Sequence, residues 1–62
     1  MMTYYETIEK LEKMGASRDY ILGWAGGFLG NPMLEEQRVT EAYEAGYEDG
    51  SKREISRAKE FS

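Results

Sequence analysis

Two Glu-x-x-Glu pairs, Glu9/Glu12 and Glu41/Glu44, are the arrangement in this chain nearest to reactive chemistry. Carboxylates at that spacing share a helix face and could hold a hard cation or move a proton. Glu9 and Glu12 alternate with Lys10 and Lys13, and both pairs read as solvated polar faces. The chain contains no histidine and no cysteine. That removes the commonest transition-metal ligands, any disulfide and the usual general base. Di-iron bundle sites need histidine beside glutamate and are excluded as well. Ser17, Thr40, Tyr43 and Ser51 have no histidine or buried lysine to activate a hydroxyl. The residues therefore predict a noncatalytic protein with no catalytic residue, no cofactor and no metal.

Three helices are expected to carry these side chains. Thr3 and Glu6 have the form of a capping box. Tyr4, Ile8, Leu11 and Met14 then recur on one face, which predicts an amphipathic helix over 4–14 ended by Gly15. Ser17 caps a second helix over 18–29, apolar nearly all round and so the central buried element. Asn31-Pro32 has the cap-then-proline form of a helix start. Helix formers follow, with acids early and bases late, and this predicts one long third helix over 32–60. The alternative is a break at Gly50-Ser51, with Ser51 capping a further helix and Glu54 completing its box. The fold expected is all-α, a single small domain over 1–62 with two short helices and one long one. Neither a sequence repeat nor a low-complexity tract stands out.

The glycines are the unusual feature. Gly23 and Gly27, Gly26 and Gly30, and Ala42, Gly46 and Gly50 are spaced by four. On helices such residues form grooves that let two backbones approach closely. Each glycine is unfavourable by roughly 0.5–1 kcal/mol against alanine in a helix interior, so contact must offset it. A phosphate loop would need a lysine and a preceding strand, which are missing. A chain this short also has a marginal core, and without disulfides or metals self-association is the remaining support. The expected interface is Trp24, Gly27 and Phe28 on the second helix, with Val39, Ala42, Tyr43, Gly46, Tyr47 and Gly50 on the third. Residues 33–50 carry net −5 and residues 51–62 net +2, so two copies should pair antiparallel through the third helix. Gly46→Leu should then weaken the dimer without unfolding the helices.

The formal net charge of −4 argues against nucleic-acid binding. No apolar run is long enough to cross a membrane. The opening MMTYYETIEK lacks an apolar core behind a basic start, so no signal peptide is expected. The bases Lys52, Arg53, Arg57 and Lys59 complement a helix C-terminus without any anionic partner.

EAYEAGYEDG, residues 41–50, resembles the tails of short uncharacterised proteins encoded by bacterial viruses. That resemblance implies a cytoplasmic accessory or host-modulating factor that binds another protein. IEKLEKMGASRD, residues 8–19, is similar to the start of ubiquitin-associated three-helix domains. Ile8, Leu11, Met14, Gly15, Ser17 and Arg18 match that pattern, and Ala16 stands where the family carries an aromatic residue. It implies, as the alternative, a monomeric three-helix module that recognises a peptide or protein.

Overall fold

A computed structural model describes residues 3–32 and 40–62. Among them are three α-helices, α1 (Tyr4–Met14), α2 (Arg18–Leu29) and α3 (Glu41–Ser51), and a 3₁₀ turn over Ala58–Phe61. The described residues contain no strand. All three helices begin alike. Thr3, Ser17 and Thr40 hold extended backbone, and each side chain accepts a hydrogen bond from the N–H three residues on. Such a cap typically contributes about 1 kcal/mol.

They also end alike. Gly15 and Gly30 take the left-handed conformation, with φ of 78° and 73°. Ala16 N–H then donates to Leu11 C=O, and Asn31 N–H to Gly26 C=O. These bonds satisfy carbonyls that the helix leaves free. Arg53 closes α3 in the same manner at φ 58°, with Glu54 N–H donating to Asp49 C=O. A side chain at Gly30 would meet nothing within 4 Å, so Gly30→Ala tests backbone strain alone. It should lower stability by about 1 kcal/mol, read from a denaturant titration.

The first two helices match the expected bounds, but the third does not. Pro32 and Thr40 are outside any helix, and Thr40 begins α3 as its cap. Residues 33–39, inside the expected long helix, are outside the described residues. At the other end α3 stops at Ser51, near the alternative break. Ser51 caps nothing; its hydroxyl donates to Glu48 C=O. The helices are thus of similar length, not two short and one long.

Tyr4 opens α1 and lies 6.0 Å from Trp24 and 5.5 Å from Phe28, late in α2, so those helices run antiparallel. In contrast, α2 and α3 run parallel. Gly23 faces Tyr43 and Tyr47, and Gly27 faces Tyr47 and Ser51, so both numbers rise together along the contact. Leu11, Tyr20, Trp24, Ala45 and Ala58 form the buried centre. Residues 52–62 return along it. Trp24 Nε1–H donates to Glu54 C=O at 2.9 Å, and Ser17 N–H to Phe61 C=O at 2.6 Å.

The parallel pair is an internal repeat. Ser17 and Thr40, Tyr20 and Tyr43, Gly23 and Gly46, Trp24 and Tyr47, Gly27 and Gly50, and Gly30 and Arg53 are each 23 positions apart. Each pair does one job: helix cap, seam residue or left-handed end. Even the Trp24–Glu54 bond has its counterpart, because Tyr47 O–H donates to Asn31 C=O. The expectation of no repeat is corrected by these contacts; three of the six pairs are identical, Tyr20 and Tyr43, Gly23 and Gly46, and Gly27 and Gly50.

Candidate interaction surface

The small-residue faces of α2 and α3 meet each other within one chain. A Cβ built on Gly23 would lie 2.1 Å from Tyr43 O, and one on Gly27 2.1 Å from Tyr47 O. Reciprocally, one on Gly46 would lie 2.0 Å from Tyr20 O, and one on Gly50 2.1 Å from Trp24 O. Each glycine thus aims a Cα hydrogen at the carbonyl three positions before the opposite glycine. Cα–H···O contacts of this kind recur where helices pack closely and add about 0.5–1 kcal/mol each. The seam is backbone against backbone, related by an approximate two-fold axis along the helices.

Of the residues expected to receive a second copy, Gly27, Gly46 and Gly50 are in this seam, covered by the same chain. Trp24 is buried in the core and stacks on half-buried Phe28 at 4.9 Å. Ala42 packs against that core. Tyr43 is buried beside the seam, and half-buried Tyr47 lies 6.3 Å from its ring. Val39 lies outside the described residues. The close backbone approach inferred from the glycine spacing is real, but α2 is the partner of α3 and the pairing is parallel.

Several ionisable groups pair on the surface of the fold. Glu9 pairs with Lys13 at 3.2 Å. Glu48 lies 3.6 Å from both Lys52 and Arg57. The Arg53 guanidinium is 5.0 Å from the centre of the Phe28 ring. Exposed Glu41 and Glu44 sit in the first turn of α3, where the dipole favours acids. Parallel helices place two positive helix ends together. Asp19 lies at that junction and accepts a hydrogen bond from the Thr40 hydroxyl at 3.1 Å.

Asp49 was not singled out by the sequence, where it is one acid among several. It is 2 % exposed, and its Oδ2 accepts from the Tyr20 hydroxyl at 2.6 Å and from Arg57 N–H at 2.9 Å. Burial, then the hydrogen bond to Asp49, then its charge push the Tyr20 phenol well above its ordinary range. A raised folded-state value means that the neutral phenol supports the fold. That support is complete below the unfolded value of about 10 and is lost as pH rises beyond it. Denaturant titrations across that pH should show stability falling more steeply in the wild type than in Tyr20→Phe.

Among the described residues three large hydrophobic side chains are exposed, Tyr5 on α1 and the pair Leu22 and Leu29 on α2. Leu22 and Leu29 are 53 % and 58 % exposed on the outer edge of α2. With Ala25, Gly26, Asn31, Pro32 and Tyr43 they line a shallow groove. No charged residue occurs from Tyr20 to Pro32. Among the described residues no helix is long and apolar enough to cross a membrane, and no three acidic side chains are placed to hold a metal ion. No protein-family model, curated protein or solved structure matches the chain.

Proposed function

We propose that this is a noncatalytic interaction protein whose working surface is the outer edge of α2. The observation that carries the reading is the exposure of Leu22 and Leu29 in an uncharged stretch of helix. Apolar surface grouped on one helix edge marks a contact site more often than scattered exposed residues do. The glycine seam supplies a rigid mount, because its backbone contacts leave no side-chain freedom between the two helices. An accessory or host-modulating factor in a cytoplasm is the setting that the resemblance of residues 41–50 implies. Residues 41–50 themselves form most of α3 and serve the seam, so the contact residues are sought on α2.

The test compares proteins captured by the wild type and by a Leu22→Glu, Leu29→Glu double variant. The variant should fold normally, since both side chains already face water. Proteins retained by the wild type and lost from the variant support the reading. An identical set from both, with self-association also unchanged by the two substitutions, overturns it.

A further inference from the structure

We infer that the occupant of the α2 edge is a second copy of this chain, docked antiparallel, α2 against α2. This rests on the interaction reading above and names its partner.

Gly26 is the first reason. A Cβ there would be in ordinary contact, 3.7 Å from the Tyr47 ring, so packing within the chain does not require glycine. Gly23 and Gly27 beside it are required. A mid-helix glycine that its own chain does not need is unfavourable without return. It makes sense if another backbone comes close at that point. Gly26 and Ala25 stand midway between Leu22 and Leu29. An antiparallel copy crossing there sets each Leu22 against Leu29 of the other copy. Large residues then flank a small centre, as close helix contact needs.

Charge supplies the second reason and sets the direction. Within the chain α2 and α3 are parallel and α1 opposes them, so about one helix dipole remains along α2. An antiparallel copy opposes that remainder, whereas a parallel copy enlarges it. The last turn of α2 carries no base. Exposed Arg18, at the first turn, would come to the C-terminal end of α2 in the other copy and supply one. Repulsion between two chains of net charge −4 is limited by placement. Glu41, Glu44 and Glu48 line a separate surface with Arg57, Glu60 and Phe61, and it shares no residue with the groove.

The chain has no cysteine, so one introduced thiol reports one contact. Ala25→Cys lies near the expected two-fold axis, and Glu9→Cys on α1 is the control. Sedimentation of the wild type from low to high micromolar should show dimers. Leu22→Glu, Leu29→Glu and Gly26→Leu should each weaken association by about tenfold or more. Circular dichroism should show the two glutamate variants folded, which keeps the test open if Gly26→Leu unfolds. Under oxidation Ala25→Cys should form a covalent dimer well before Glu9→Cys. A wild type monomeric at high micromolar overturns the second copy. So does association unaffected by both glutamate changes, or equal cross-linking by the two thiols. A monomeric wild type whose captured proteins still depend on Leu22 and Leu29 overturns the dimer and leaves the interaction reading standing.

Discussion

Gly46→Ala is expected to unfold most of the protein, while Gly26→Ala, at concentrations low enough to keep the chain monomeric, raises its melting temperature. Both changes put one methyl group into a helix and gain roughly 0.5–1 kcal/mol of propensity. At Gly26 the methyl has room, with the Tyr47 ring 3.7 Å away. At Gly46 it would sit 2.0 Å from Tyr20 O and 2.9 Å from Trp24 N. Overpacking against side chains is unfavourable by about 1–3 kcal/mol because side chains can turn aside. Here both obstacles are backbone atoms of a helix, and only separation of α2 from α3 relieves them. Separation opens the whole seam, so the loss should exceed about 3 kcal/mol, against a total of roughly 3–9 kcal/mol for a chain this short. Thermal unfolding followed by circular dichroism should show Gly26→Ala higher by about 4 °C. Gly46→Ala should have little cooperative transition left. A Gly46→Ala protein that melts within a few degrees of wild type would mean that the helices are not seated backbone to backbone. The bulkier Gly46→Leu must also unfold the chain. This reverses the expectation that it would spare the helices and disturb only a dimer.

That reversal shows how far the sequence could be read. Thr3, Ser17, Gly15 and Gly30 announce the bounds of α1 and α2, because capping chemistry is local and uses few residue types. The end of α3 was signalled at Gly50-Ser51 only as the alternative, and the residue that turns the chain there was not signalled at all. Arg53 performs the task of Gly30 at φ 58°, and an arginine there gives no hint of left-handed backbone. Its guanidinium over the Phe28 ring offsets part of the strain, by about 0.5–1 kcal/mol. The start of α3 was hidden because Asn31-Pro32 offers a better-looking beginning than Thr40, which lacks Glu or Gln three residues later. The four-residue glycine spacing was legible as close backbone contact. Its partner was not, because spacing within one helix says nothing about which second helix completes it. The missing clue was the longer interval. Tyr-x-x-Gly-aromatic-x-x-Gly occurs at Tyr20 and again at Tyr43, each three residues after a hydroxyl cap.

Asp49 marks where the two halves of the repeat differ, and removing it has the second large effect. Its counterpart in the first half is Gly26, 23 positions earlier. Gly26 borders the open groove, whereas Asp49 lies beneath residues 52–62. Nothing in helix physics favours an acid near a helix C-terminus, where the dipole opposes it. Its place is explained by two donors, the Tyr20 hydroxyl at 2.6 Å and Arg57 N–H at 2.9 Å. Asp49→Ala removes the acceptor of both while they remain enclosed. Each orphaned donor is unfavourable by about 1–3 kcal/mol, and relief of the dipole and better propensity return roughly 1 kcal/mol. The net loss should be about 1–5 kcal/mol. Tyr20→Phe alone should be unfavourable by about 1.5–3 kcal/mol, since it strips a charge-assisted bond from a buried carboxylate. The double variant should be less destabilised than the sum of the two, by about 1 kcal/mol or more. Trp24, the one tryptophan, donates its indole N–H to Glu54 C=O in the segment that Asp49 holds. Its emission in Asp49→Ala should therefore shift under conditions where circular dichroism still shows the helices. An Asp49→Ala variant as stable as wild type, or strict additivity in the cycle, would mean that residues 52–62 are held by Ala58 and Phe61 packing and not by the carboxylate.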